Sequence, residues 1–167
     1  MIRGLVIRPA EPADRAAIRH LVTAAFGQPA EANLVDALAA GGDTVLELVA
    51  MQEGDIVGHV LFSRLFVEDG DRHFAAVALA PLAVRPKLQD SGIGTALVEA
   101  AHSLLKDAGE TLSIVLGEPA YYSRFGYAHE RAAGFASDYQ CEALQALAWG
   151  DAPTSGRLVY ANAFSDL

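Results

Sequence analysis

The sequence predicts a mixed α/β (α+β) domain, and three observations carry that expectation. Strand-like runs at Thr44–Gln52, Ile56–Val67 and His73–Val84 are separated only by the turn segments Glu53-Gly54-Asp55 and Glu68-Asp69-Gly70-Asp71, so they read as antiparallel neighbours. Helical periodicity fills the chain before and after them. Residues 79–97, LAPLAVRPKLQDSGIGTAL, pass from an apolar strand through a glycine turn into a helix.

Along the chain, Leu5–Arg8 alternates briefly and reads as a first strand. Pro12 suits a first helical position and Asp14 a first turn, where negative charge is favoured, and Ile18, Leu21, Val22 and Ala25 share one helical face. A second short helix carries Glu31, Leu34, Val35 and Leu38 on one side and stops at Gly41-Gly42. After the three strand runs, whose last contains Pro81 and therefore predicts a bulge or an edge, comes a helix with apolar positions Ile93, Leu97, Val98, Ala101, Leu104 and Leu105. It ends near Gly109, and Leu112–Leu116 reads as a short buried strand of the parallel type. Gly117-Glu118-Pro119 opens a short helix over Ala120–Phe125, stopped by Gly126. Periodicity leaves Glu142–Trp149 open between helix and strand.

A length of 167 residues suits one domain spanning 1–167. Twelve basic against 21 acidic residues give a net charge of −9, which argues against a nucleic-acid surface; it serves solubility first and, through long-range steering, a cationic small-molecule partner second. With no apolar run of about twenty residues and no cleavage pattern near the start, the reading is cytoplasmic, without a membrane span. Cys141 is the single cysteine, which excludes an intrachain disulfide and a cysteine-based metal cluster and reads as a buried, inert thiol; no metal is expected.

The glycine turn carries the first chemical signal. The first amides of a helix lack intrahelical partners and sit at the positive end of the macrodipole, so glycines that admit close approach make an anion site. A dinucleotide fingerprint would need a third glycine where Leu97 stands, and a P-loop would need Gly-Lys-Ser/Thr, which is absent.

Gln89-x-x-Gly92-x-Gly94 after a strand ending Leu82-Ala83-Val84 resembles the signature of the GNAT (GCN5-related N-acetyltransferase) superfamily. A second motif lies about thirty residues on: Tyr121-Tyr122 followed by Gly126-Tyr127 has the spacing with which that family ends its core. The whole run Gly117-Glu118-Pro119-Ala120-Tyr121-Tyr122-Ser123-Arg124-Phe125-Gly126 resembles the YhbS-like subfamily, and Ile56–Phe62 resembles the family's third strand. The resemblance implies a mostly antiparallel sheet splayed at its centre and flanked by helices on both faces, with a late strand pair at Leu144–Trp149 and Leu158–Tyr160.

It also implies acetyl transfer from acetyl-CoA, the co-substrate, to a primary amine by direct attack within a ternary complex. The attacking ammonium must lose a proton, the leaving thiolate should gain one, and the carbonyl oxygen needs a donor as charge develops. By resemblance, the backbone of Leu82, Ala83 and Val84 faces the thioester arm, and the amides of Gln89, Asp90, Ser91, Gly92, Ile93, Gly94 and Thr95 hold the pyrophosphate. Tyr122 is the implied general acid and Tyr121 a packing residue. Glu31, His59 and Glu118 are the candidate bases, with a water chain as the alternative to any single one.

Asp90 and Ser91 depart from the family, which often has a basic residue or glycine there, and Gly117-Glu118-Pro119 replaces its usual asparagine. These departures keep open a second reading, a catalytically weak acyl-CoA-binding or sensor module; a purely structural α/β domain is a third. The acceptor is a small-molecule amine, a peptide N-terminus or a lysine, and late strands of the family that pair across a dimer make a homodimer an implied partner.

Overall fold

The computed structural model describes residues 3–166. Among them, strands β1 (Val6–Pro9), β2 (Thr44–Gln52), β3 (Asp55–Asp69), β4 (Arg72–Val84), β5 (Leu112–Leu116), β6 (Phe135–Ala136), β7 (Leu144–Ala148) and β8 (Gly156–Val159) form one sheet. Its order is β1-β2-β3-β4-β5-β7, with β8 attached to the far end of β3 and β6 to β8. The β2–β3–β4 meander is antiparallel as expected, and β4–β5 is the parallel pair. Helices α1 (Arg15–Phe26) and α2 (Ala30–Ala40) cover one face and α3 (Ile93–Asp107) the other, while α4 (Pro119–Tyr122) and α5 (His129–Ala132) are single turns after β5.

Local chemistry sets the joints. Asp14 accepts both Arg8 guanidinium nitrogens, at 2.7 and 3.0 Å, and the Glu11 amide at 2.7 Å, which fastens the start of α1 to β1. That guanidinium holds the Asp14 carboxyl down at about 2. On the other face, Ile93, Leu97, Val98, Ala101 and Leu105 of α3 pack on Leu48, Ala50, Val60, Phe62, Val77 and Leu79. Fully burying each large apolar side chain contributes roughly 1.5–3 kcal/mol. Leu104 departs from the expected stripe: it is 45% exposed, and His102 takes a buried place on that helix instead.

α3 approaches the sheet closely because residue 58 is glycine: a Cβ there would meet Ile93 Cγ2 and Leu97 Cδ1 at 2.8 Å each. The bulge expected from Pro81 is present. Val60 faces Leu82 and Phe62 faces Leu79, so Leu61 on β3 opposes the two residues Ala80 and Pro81 on β4.

Two expectations are corrected. The late strands exist but do not pair with each other: β7 pairs antiparallel with β5, and β8 pairs with β3 across Phe66–Glu68. The reason is length, since β3 runs past Ser63, where its pairing with β2 ends, and leaves an open edge that β8 fills. Cys141 is exposed rather than buried: it lies in the turn leading to β7, where its carbonyl accepts from Leu144 N at 3.0 Å. Among the described residues no helix is long and apolar enough to cross a membrane, and no group of three or more His, Cys, Asp or Glu is gathered as for a metal.

Behind α4, Tyr127 Oη joins His102 Nε2 at 3.0 Å and Ser113 Oγ at 2.7 Å, tying α3 to β5. Burial first, and Lys106 second, press the His102 imidazole down from 6.5 to about 4. The unfolded chain therefore binds a proton there that the folded chain refuses, so the contribution is whole above pH 6.5 and is lost as pH falls toward 4. Over that window the loss is expected to reach about 3 kcal/mol. Thermal denaturation from pH 7 to pH 4 should show a shallower fall in Tm for His102→Phe, which keeps the aromatic packing and removes the titrating group.

Candidate active site

The site begins where one strand loses its neighbour. β4 pairs with β5 only over Val77–Leu79 against Ser113–Val115, although β4 continues to Val84. Arg85 N donates to Val57 O at 2.8 Å, which fixes the phase of the β3–β4 ladder. In that phase Ala83 exchanges its backbone bonds with His59, whereas the N–H and C=O groups of Leu82 and Val84 point away from β3 into the gap. Gln89 Nε2 donates to Val84 O at 3.2 Å, pinning the glycine turn against the strand.

The turn is shaped by left-handed residues at Asp90 (φ 64°) and Gly92 (φ 93°). Aspartate tolerates that region better than most side chains, which accounts for its presence at 90. Ser91 Oγ closes the turn on Leu88 O. The first amides of α3 then face a cleft of about 400 Å³ lined by Leu82, Val84, Leu88, Gln89, Asp90, Gly92, Ile93, Gly94, Thr95, Tyr121 and Arg124. Of the residues expected here, Ala83 and Ser91 do not line it. The side chain of Ala83 belongs to the α1/α2 layer, and the Ser91 hydroxyl is committed to Leu88.

Two lining residues had no binding role in the sequence reading. Tyr121, expected only to pack, places Oη where a Cβ on Gly94 would stand 2.7 Å away, so glycine at 94 keeps the cleft open beneath it. Arg124 lies over the Tyr121 ring at 4.6 Å and donates from Nη1 to Thr95 Oγ1 at 3.4 Å, bringing a cation to the mouth of α3 opposite the Asp90 carboxylate. The signal was available: one helical turn puts residue 124 on the face of residue 121.

Tyr122 turns to the other side, against the end of β5. A Cβ on Gly117 would meet its Cε2 at 2.5 Å, so the small residue after β5 makes room for the ring. It stands edge-on to Tyr121 at 5.0 Å and to Tyr127 at 5.9 Å. Burial, with Tyr121 as a second cause, pushes its hydroxyl above the ordinary phenol value, so it is protonated at neutral pH.

The three candidate bases stand differently. Glu31 is held at the start of α2 by Gln28 Nε2 at 3.1 Å, and Glu118 accepts from Ala120 N at 3.4 Å as the cap of α4. His59 is fully buried, with Nε2 2.7 Å from Glu47 Oε2.

A family model described as "Acetyltransferase (GNAT) domain" matches residues 6–129. Over 124 residues, 74% of this chain and 73% of the relative, the sequence is 38% identical to an uncharacterised N-acetyltransferase, YhbS, of Escherichia coli. The crystal structure of the Escherichia coli GNAT family N-acetyltransferase YhbS in complex with CoA superposes with TM-score 0.89 at 30% identity, covering 99% of this chain and 94% of that one. A GNAT family acetyltransferase from Brucella melitensis in complex with acetyl-CoA superposes with TM-score 0.82 at 33% identity, covering 96% and 97%. The unzipped strand, the glycine turn at the mouth of α3 and a family match across most of the chain lead to one assignment: this chain belongs to the GNAT family of N-acetyltransferases.

Proposed function

We propose that the protein transfers an acetyl group from acetyl-CoA to a primary amine by direct attack in a ternary complex, with Tyr122 as the proton donor. One observation carries the reading: a single cleft joins the unpaired backbone of Leu82 and Val84 to the amides at the start of α3. The fit is tested by Gly94, where a side chain would fill the floor of that cleft. Bound acetyl-CoA supplies the acetyl group and a thiol leaving group.

The chain's own groups do the rest. The amides from Gln89 to Thr95, with Gly92 and Gly94 admitting close approach, hold a diphosphate, and Arg124 offsets the Asp90 carboxylate beside it. The free N–H groups of Leu82 and Val84 offer the thioester arm a strand edge and the carbonyl oxygen a donor. Tyr122, a phenol protonated at neutral pH, donates to the departing sulfur. With a net charge of −9 the protein attracts a cationic amine, whether a small molecule, a peptide N-terminus or a lysine.

Asp90 in the cleft lining favours a second reading, a weak acyl-CoA-binding module. Purified protein incubated with acetyl-CoA and a panel of amines separates the two: release of free thiol supports transfer, and CoA binding without thiol release across the panel supports the module.

Four substitutions probe the site. Tyr122→Phe should lower kcat by roughly 10² to 10⁴ fold with CoA affinity spared, measured by steady-state kinetics beside calorimetry. Gly94→Val should abolish CoA binding while the protein remains folded, since a Cβ there crowds only the movable tip of Tyr121, at 2.7 Å, and meets Val84 and Leu82 at ordinary contact distances of 3.6 and 3.7 Å; thermal shift with CoA reads this directly. Arg124→Ala and Asp90→Asn should move the CoA Kd in opposite directions, the first weakening binding roughly tenfold through loss of a charge-assisted contact and the second tightening it.

A further inference from the structure

We propose that Glu47 and His59 form a directed proton relay that accepts the proton of the amine substrate, with Arg15 fixing the carboxylate that orients the imidazole. The inference rests on the acetyl-transfer reading above and adds to it a residue, Glu47, that neither motif contains.

The geometry is that of an imidazole held in one tautomer. His59 Nε2 lies 2.7 Å from Glu47 Oε2, and Arg15 Nη2 donates to Glu47 Oε1 at 2.5 Å, so both carboxylate oxygens are occupied. Burial opposes ionisation of Glu47, but the bonds from His59 and Arg15 outweigh it and keep the carboxyl below its ordinary value. An ionised carboxylate can only accept, so in the neutral imidazole Nε2 carries the hydrogen and Nδ1 the lone pair. His59 has no exposed surface, and among the described residues Nδ1 meets no donor. A buried acceptor that no protein group pairs calls for an account.

Position supplies the use. His59 and Ala83 exchange backbone bonds, which sets their Cα atoms about 5.5 Å apart. Ala83 lies between Leu82 and Val84, whose backbone faces the cleft, and its own side chain is only a methyl group. The relay is therefore one strand away from the gap, on the α1/α2 face. Around His59 the sheet contributes Glu47 and Val49 from β2, Leu61 from its own strand and Ala83 from β4. α1 contributes Arg15 with Ile18, Leu21 and Val22; α2 contributes only Ala32, Leu34, Val35 and Leu38 to this layer. Asp14, paired with Arg8, stands near enough to Arg15 to feel its charge.

The step balances. The acceptor ammonium gives one proton, through a water molecule, to Nδ1, and Glu47 stabilises the imidazolium. Nitrogen forms its bond to the acetyl carbon as carbon–sulfur breaks, the sulfur takes the Tyr122 proton, and Tyr122 recovers a proton from the new amide nitrogen. The proton on His59 returns to solvent, so the sum is ammonium plus thioester going to amide, thiol and one free proton.

The test is kcat/KM for the amine across pH 6 to 10 with the full-length protein, for the wild type, Glu47→Gln and His59→Gln, with CoA affinity measured alongside. Wild type should show a plateau below the amine pKa. His59→Gln should fall roughly 10² fold at neutral pH and then climb tenfold per pH unit toward the amine pKa, because only pre-deprotonated amine remains productive. Glu47→Gln, nearly isosteric, should lower the plateau and move its acid limb to lower pH. Nitrogen NMR of the His59 ring should report hydrogen on Nε2 and none on Nδ1. Variants that bind CoA and keep the wild-type profile, or a ring protonated on Nδ1, overturn the relay while acetyl transfer stands. A wild type that releases no thiol with any amine overturns both.

Discussion

Everything in this molecule turns on a hydrogen-bond ladder that stops early. Three residues of β4 find partners on β5 and the rest do not, although the strand continues well beyond them. Unpaired backbone inside a sheet is costly unless something else pairs with it, so a gap of this kind is stable only beside solvent or a ligand. The elements around it all serve that gap: the bulge at Ala80-Pro81 turns the strand, Gly58 lets α3 close in from one side, and Gly117 seats the Tyr122 ring at the other.

The two faces of the sheet divide the work. The α3 face is largely apolar, with the His102, Tyr127 and Ser113 network inside it, and Arg124 brings a cation to the mouth of the helix. The α1/α2 face carries a polar cluster, Arg15, Glu47 and His59, placed beside the same three-residue segment of β4. Tyr122 stands beyond the end of β5 and His59 beneath β4, on either side of the segment whose Leu82 and Val84 N–H groups point away from β3.

Much of this was legible in the chain. The hairpins, the parallel β5, the glycine turn and the Tyr-x-x-x-Gly stop all have short-range causes, and those elements form where they were expected. What was not legible depends on distant partners. The sides taken by Leu82, Ala83 and Val84 follow from the ladder phase set by Arg85 and Val57, which no local pattern encodes. The separate destinations of β7 and β8 follow from the excess length of β3 over β2. Arg124 sat within a motif that was noticed for its tyrosines, and Glu47 met His59 only after β2 and β3 had paired in register.

The attachment of β8 to β3 also bears on how the chain can be shortened. The family match ends at residue 129, whereas the strand that covers Phe66, Val67 and Glu68 begins at Gly156. A chain cut at the boundary of that match would keep the glycine turn and both tyrosines yet leave a bare β edge carrying the half-exposed Phe66. Such an edge is a template for aggregation, so a truncation that looks complete by its motifs would be held back by its solubility.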